Sequence, residues 1–463
     1  MNPRALQRTS ETYWQQNAGN IFVSKASGTV FHRDNPGLGI KLLSTIAAFR
    51  KHGIQNVLVH GGGKQLDEIM AADAPKNKVT QLRMTPKRLI SAVERERQAV
   101  SDQIASLCQE IDLPCEILPP SVVRAERILG HGETGRVRHI VREKIEDVLR
   151  QGKLAIVPFG GVVDSEEGEE YLNVNADEDA AEIARALGAA KLIYVTNEDG
   201  IQRPSRNGNG GSRRISYLDY SAATRLLREQ DDQGRFIISA GMLPKLEMAM
   251  RAVAGGVSQV HLVPAKTGHE VLDEVLQLTG SDFGTLIEYL QSVEVVQAEP
   301  QDLDEIIGLR EDCSAPESST PNGTPYLRPL PRNEISRQLP NTIVIKHRGI
   351  VVGSISCENV IDHPRTMKIG GFAVGENHQE SQYGRELFEQ MLDRLAKDSI
   401  RAGSCYDEAI SITAAPGVAH LFAHYGRADT EGKYAGELAA ARKRYGTDAD
   451  QVQLFVFDLN GRR

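Results

Sequence analysis

The chain has 463 residues, is 40% hydrophobic and 25% charged, and carries a formal net charge of −8; such a length predicts roughly two to three domains. The acidic balance excludes a broad nucleic-acid or anionic-membrane surface, and no run reaches the ~18 apolar residues that a membrane span requires. Cysteines at 108, 115, 313, 357 and 405 are odd in number and never spaced CxxC, which argues against a disulfide framework or a metal site and for a reducing compartment. The first twenty residues hold no apolar signal core, so a cytoplasmic location is expected.

Residues 1–19 read as a polar, helical extension around Tyr13 and Trp14. Ile21-Phe22-Val23-Ser24 is strand-like, and the stretch from Ile40 to Lys51 is amphipathic and helical. Val57, Leu58 and Val59 read as a buried parallel strand that ends in His60-Gly61-Gly62-Gly63-Lys64, followed by a helical run at 65–70. Long helical patterns fill 86–111, strands are expected at 154–159 and 192–196, and a helix at 178–188 lies between them. Helix, strand and helix return over 241–278, and the Gly-rich stretch 205–212 reads as a loop. This alternation predicts a mostly parallel sheet covered on both faces. The pattern changes near 290: after a Pro-, Ser- and Thr-rich loop at 314–332, two strands at 342–347 and 350–356 flank the turn His347-Arg348-Gly349, a hairpin signal. The expected organisation is an N-terminal extension (1–19), a first domain (20–290) and a second domain (291–463).

Several residues of the first domain could serve phosphoryl transfer, which needs in-line positioning and cations to neutralise spreading charge. Lys25 ends the first strand, and the glycines after the next one make a cradle for phosphate or carboxylate oxygens. Arg83 offers a fork for a carboxylate. Asn173 and Asp177 stand at a helix start, and Lys245 follows Gly241-Met242-Leu243-Pro244. Taken singly, the three cations read more readily as solvated surface charges, and Asp177 can serve as a helix cap.

Together these segments resemble the amino acid kinase family, and within it the N-acetylglutamate kinases, over roughly 20–290. The resemblance implies a three-layer α/β domain with a mostly parallel central sheet. It implies that Lys25 and Lys245 contact the transferring phosphoryl group of ATP with magnesium, and that Gly61, Gly62 and Arg83 bind acetylglutamate. Asn173 and Asp177 would organise the centre, and Thr196-Asn197-Glu198-Asp199-Gly200 matches the nucleotide-side loop. Residues 269–285, with His269, Glu274 and Gly284, resemble the segment that binds arginine in arginine-inhibited kinases and in N-acetylglutamate synthases. In those families an N-terminal helix, here around Tyr13, pairs subunits into homo-oligomers.

In the second domain a strand ends at Gly371-Phe372-Ala373-Val374. A polar loop, Gln379-Glu380-Ser381-Gln382-Tyr383-Gly384, leads into an amphipathic helix from Arg385 to Lys397. Backbone N–H groups at such a helix start suit a pyrophosphate; an ordinary strand–helix turn is the plainer reading. A strand at 409–413, a helix ending at Tyr425-Gly426 and a last strand within 451–459 follow.

This order resembles the GNAT acetyltransferase superfamily, and the two domains in sequence resemble the N-acetylglutamate synthases. The resemblance implies an α/β GNAT domain that uses acetyl-CoA as co-substrate, held by Val374, Gln379, Tyr383 and Gly384, with the Val374 N–H polarising the thioester carbonyl. Arg328 and Arg332 fit the Arg-rich segment that would meet the carboxylates of glutamate, with Arg365 or Lys368 as further candidates. Phe422 stands where many relatives carry an acid tyrosine, and Ala414-Ala415-Pro416-Gly417 stands where a further arginine is expected. The leading reading is an amino-acid N-acetyltransferase acting on glutamate and controlled by arginine. The alternatives are an acetylglutamate kinase or bifunctional enzyme, and a pair of domains acting on another amino acid.

Overall fold

The computed structural model describes residues 13–460 apart from 32–35, 63–65, 67, 71–83, 167, 205–211, 232, 240, 266–270, 272–282, 290–292, 315–318, 321–322, 376–377, 380 and 402–405. The expectations for Gly63, Lys64, Arg83, His269 and Glu274 therefore lie outside the described residues. The chain divides into two compact units, Met1–Leu290 and Gln291–Arg463.

The first unit begins with a helical stretch at 13–17 and β1 (Ile21–Ala26), α1 (Pro36–Lys51), β2 (Gln55–His60) and α2 (Ile90–Glu110). Then come β3 (Cys115–Ile117), β4 (Val123–Arg127), β5 (Gly135–Ile140), α3 (Arg142–Arg150), β6 (Leu154–Pro158), β7 (Gly161–Ser165) and β8 (Gly168–Leu172). It continues with α4 (Ala176–Ala186), β9 (Lys191–Thr196), β10 (Ile201–Pro204), β11 (Ser212–Ile215), β12 (Tyr217–Asp219), α5 (Tyr220–Leu226), α6 (Leu243–Ala254), β13 (Gln259–Pro264) and β14 (Thr285–Glu288).

The main sheet runs β12-β14-β13-β9-β1-β2-β6-β3, and its described neighbours are parallel except β13 and β14. Central strands such as β2 and β9 are apolar and buried on both faces, as a helix-covered parallel sheet demands. Two apolar clusters flank the sheet: one joins Val23, Val57 and Val59 to α4 and α6, the other joins Phe22 and Leu58 to α1 and α2. Ala180, Ala181 and Ala184 are small enough to seat α4 closely on the sheet. A separate four-stranded sheet, β5-β4-β7-β8, stands beside these elements.

The second unit holds β15 (Val293–Gln297), α7 (Leu303–Asp312), α8 (Arg332–Gln338), β16 (Thr342–His347), β17 (Ile350–Val360) and β18 (His363–Val374). They are followed by α9 (Tyr383–Arg401), β19 (Glu408–Thr413), α10 (Pro416–Tyr425), β20 (Arg427–Ala428), α11 (Ala435–Tyr445) and β21 (Gln453–Asp458). The sheet order is β15-β16-β17-β18-β19-β21-β20, antiparallel except for β18 with β19. Arg348 and Gly349 take φ of 54° and 80°, the left-handed pair that a tight hairpin needs. Alternate residues of β18 face opposite sides. Ala373 joins the cluster of Ile306 and Leu309 of α7, whereas Phe372 approaches Phe388 of α9 with ring centroids 6.4 Å apart.

Within this sheet β18 and β19 separate. They pair only from Thr366 with Glu408 to Ile369 with Ser411, while β18 stays on β17 as far as Val374. Residues 370–374 therefore present a strand edge from which β19 has departed.

Candidate functional site

In the first unit, parallel pairing sets Lys25 beside Val59 and Tyr194, at the carboxyl ends of β1, β2 and β9. Ligands of open α/β sheets collect outside these ends. Asn175 caps α4 by accepting from the Asp177 N–H at 3.0 Å, which places Asp177 in the first turn. Its carboxylate meets Lys25 Nζ at 2.8 Å through Oδ1 and Lys245 Nζ at 2.9 Å through Oδ2. Burial alone would raise this carboxyl; the two ammonium groups outweigh it and hold it at about 2. Lys245 lies in the first turn of α6, where the helix dipole repels a cation. Asp177 offsets that cost and fixes both lysines at one point.

The glycine turn divides its tasks. The Gly61 N–H donates to the Ala26 carbonyl at 2.9 Å, so it secures the turn on β1 instead of facing a ligand. A Cβ at Gly61 would stand 4.0 Å from Lys25 Nζ, an ordinary contact, whereas a Cβ at Gly62 would collide with Leu66. Behind the turn, the buried His60 ring places Nδ1 3.1 Å from the Gly61 carbonyl and Nε2 2.8 Å from Ser101 Oγ. A carbonyl only accepts, so Nδ1 carries the proton; burial lowers the ring to about 4, which leaves it neutral.

Asn173 Nδ2 donates to Thr85 Oγ1 at 3.0 Å, and Thr134 Oγ donates to the same oxygen at 2.9 Å. Asn173 is thereby tied to the segment that follows Arg83. The loop at 196–200 is joined to the start of α6: Ser239 Oγ donates to Glu198 Oε2 at 3.1 Å and receives the Met242 N–H at 3.2 Å. Asp179, absent from the sequence reading, is fully buried and accepts the Gly160 N–H at 2.9 Å; burial pushes its carboxyl well up.

Among the residues expected to take part in regulation, Tyr13 is 1% exposed and packs inside its own unit, with Lys191 Nζ 5.2 Å from the ring centroid. Gly284 precedes β14, and a Cβ there would collide with the Leu262 carbonyl oxygen, so close strand packing accounts for its glycine.

In the second unit, Gly375 donates to Val352 at 2.9 Å. In an antiparallel ladder this makes the adjacent Gly353–Val374 pair the non-hydrogen-bonded kind, so the Val374 N–H points away from β17, toward the edge that β19 has left. The start of α9 lies against this strand end: a Cβ at Gly384 would sit 3.4 Å from Phe372 Cζ and 3.6 Å from Val374 Cγ2. Gln379 Nε2 is 3.5 Å from the Val374 carbonyl. The Tyr383 ring is 1% exposed and packs beside His347 and His378, so any part this residue takes in ligand binding falls to its backbone.

The expected acceptor cations are mostly engaged. Arg332 pairs with Asp304 on the surface, Arg365 with Asp407 at 2.7 Å, and Lys368 with Glu437 at 2.9 Å. Arg328 lends its carbonyl to Arg310 Nη2 at 3.1 Å. Phe422 is a core ring, 4.7 Å from Phe388 by centroids, and carries no proton for a leaving group. Arg310 was not singled out from the sequence, yet it is 5% exposed and lies against β18. An arginine within a charged helical stretch gives no sign in sequence of being buried.

Residues 20–264 match the model of the amino acid kinase family, and residues 307–409 that of the acetyltransferase (GNAT) family. The acetylglutamate kinase of Prochlorococcus marinus (strain NATL1A) is 31% identical over 276 residues, which span 58% of this chain and 83% of that one. The crystal structure of N-acetylglutamate synthase from Neisseria gonorrhoeae complexed with coenzyme A and L-arginine aligns over 99% of both chains, with a TM-score of 0.60 and 19% identity. The same enzyme complexed with coenzyme A and N-acetyl-glutamate aligns over 99% of this chain and all of that one, with a TM-score of 0.54 and 21% identity. That likeness is one of fold: a kinase-like α/β domain followed by a GNAT domain. No helix among the described residues is long and apolar enough to cross a membrane. With a family match over more than half of its length and a GNAT domain behind it, the chain belongs to the amino acid kinase family.

Proposed function

We propose that the protein is an amino-acid N-acetyltransferase that moves the acetyl group of acetyl-CoA to the α-amine of glutamate. The observation that carries this reading is the parting of β18 from β19, with the Val374 N–H directed into the gap and the start of α9 against the same strand end. Acetyl-CoA would lie along β18 with its pyrophosphate at Gln379 and Gly384. The neutral amine attacks the thioester carbonyl, negative charge grows on the carbonyl oxygen opposite the Val374 N–H, and the C–S bond then breaks to release CoA. Among the cationic candidates for the acceptor, Arg328 belongs to the segment between α7 and α8, and Arg332 opens α8.

The test is glutamate-dependent release of free CoA by the purified protein, with the product identified by mass. Formation of N-acetylglutamate supports the reading; acetyl-CoA binding without glutamate-dependent release rejects glutamate as the acceptor.

A second reading keeps the first unit as a working kinase, favoured by the pair of lysines on Asp177. Lys25 and Lys245 would neutralise the transferring phosphoryl group of ATP with magnesium, Asp177 would organise the centre by holding both lysines, and Gly61, Gly62, Arg83 and Asn173 would hold acetylglutamate. ATP-dependent phosphate transfer to N-acetylglutamate tests it. Arginine control through His269, Glu274, Gly284 and the Tyr13 helix, in a cytoplasmic homo-oligomer, belongs to the same proposal. An arginine titration followed by thermal melting and light scattering tests it: no change in either rejects arginine control.

A further inference from the structure

Arg310 projects from α7 toward β18 and is 5% exposed. Its Nη2 donates to the Arg328 carbonyl at 3.1 Å, while its buried Nε has no hydrogen-bond partner among the described residues. No carboxylate among them pairs with it, and burial depresses its pKa. A buried guanidinium is costly unless an anion faces it, so a retained one calls for a counter-charge from elsewhere.

The backbone is shaped to admit this group. Gly371 takes φ of +60°, at the irregularity where β17 and β18 shift register between Ser354 and Ser356. A Cβ at Gly371 would stand 2.5 Å from both Arg310 Nη1 and Ser356 Oγ. Only glycine allows both the backbone angle and the close approach of the guanidinium. Gly371 lies beyond Ile369, the last residue paired to β19, so Arg310 meets β18 on the stretch that borders the gap.

We infer that Arg310 is the residue that receives the side-chain carboxylate of the acceptor and so selects an acidic amino acid, a role that rests on the acetyltransferase reading. The placement favours the distal carboxylate: Gly371 and Val374 are three residues apart, at most about 10 Å along the chain, a span that the acceptor's side chain and the reach of the guanidinium share. An amine placed for attack near the Val374 N–H leaves its own α-carboxylate close by, and the carboxylate at the end of the side chain reaches back toward Gly371. The same geometry accounts for the lack of an arginine before α10, since a cation from α7 supplies the charge from the other face.

The test compares wild type with Arg310→Met and Arg310→Lys, using glutamate and glutamine as acceptors. The kcat/KM of Arg310→Met for glutamate should fall by roughly 10- to 100-fold, the worth of a charge-assisted hydrogen bond. Glutamine should be little affected, and Arg310→Lys should recover part of the preference for glutamate. Calorimetric titration of N-acetylglutamate and N-acetylglutamine, with CoA present, reads the same preference without turnover. An unchanged glutamate-to-glutamine ratio in Arg310→Met overturns the inference. Equal losses for both acceptors in both variants, with a lowered melting temperature, also overturn it and leave Arg310 a structural anchor for the Arg328 carbonyl. Absence of glutamate-dependent CoA release and of N-acetylglutamate binding in the wild type rejects the acetyltransferase reading itself, and the inference with it.

Discussion

Lys25 and Lys245 each hold one oxygen of the Asp177 carboxylate, at 2.8 and 2.9 Å. Two ammonium groups on a single carboxylate leave a net positive charge where the parallel strands end, beside the turn at Gly61. Such a centre suits a phosphoryl group. Lys25→Ala is therefore expected to leave glutamate-dependent CoA release within about 2-fold of wild type, while abolishing any ATP-dependent phosphorylation of N-acetylglutamate. Steady-state assays of the two reactions on one preparation check this; a large loss of acetyl transfer would contradict it.

Asp177→Asn removes the carboxylate that, among the described residues, holds both lysines and leaves their charges facing each other. Breaking one partner of a buried ion pair costs about 3 kcal/mol, which urea unfolding of the full chain would reveal. The pH dependence has a defined sign. The carboxyl is held at about 2, below an ordinary aspartate, so its stabilisation is complete above about pH 4 and is lost as pH falls through 2. Asp177→Asn should lack that last acid transition.

Much of the first unit was legible because parallel strands announce themselves. Val57, Leu58 and Val59 are apolar on both faces, and the glycines that follow mark the turn. The expected strands at 154–159 and 192–196 correspond to β6 and β9, and the expected helix at 178–188 to α4, shifted by its Asn175 cap. The β5-β4-β7-β8 sheet was missed. Its strands Val123–Arg127 and Gly135–Ile140 alternate charges with small or apolar residues, and they are held in part by cross-strand pairs such as Arg136 with Glu126. Half-exposed strands of this kind resemble loops in composition. In the second unit the hairpin at Arg348-Gly349 was visible from turn chemistry. The buried Arg310 was not, because its environment comes from a bulge in β18 that is distant in sequence.

His60 gives a second, milder pH effect. Burial holds its ring at about 4, against 6.5 for a free histidine. Between those values the unfolded chain binds a proton that the folded chain refuses, so stability rises with pH through that window. About 3 kcal/mol should be lost as pH falls from 6.5 to 4. His60→Gln, which can still meet Ser101 and the Gly61 carbonyl, should flatten the slope in chemical denaturation measured at several pH values. An unchanged slope would show that the ring titrates normally.

Tyr13 lies fully inside its unit, edge-on to Trp14 at 5.3 Å and below Lys191. Tyr13→Ala would open a cavity and expose a buried ammonium, at a cost of about 3 kcal/mol. Tyr13→Phe keeps the ring and its attraction for Lys191, so it should stay within about 1 kcal/mol of wild type. Denaturant melts distinguish the two; an inert Tyr13→Ala would mean that the 13–17 helix detaches without consequence.

The junction of α9 with the end of β18 sets the last expectation. Gly384 sits where a single added carbon would stand 3.4 Å from Phe372 Cζ and 3.6 Å from Val374 Cγ2. A methyl group is tolerable at those distances, whereas the branched side chain of Gly384→Val has to push the helix start away from the strand. The backbone N–H groups at a helix start bind an anion through a fixed direction, and a displaced turn loses most of that interaction. Gly384→Val should therefore raise the KM for acetyl-CoA by about 10-fold, corresponding to about 1.4 kcal/mol of lost binding. The KM for glutamate should change little, because the proposed acceptor contact at Arg310 comes from α7 and not from the start of α9. Gly384→Ala serves as the control and should stay close to wild type. If Gly384→Val raised only the KM for glutamate, the assignment of the α9 start to the pyrophosphate would be wrong.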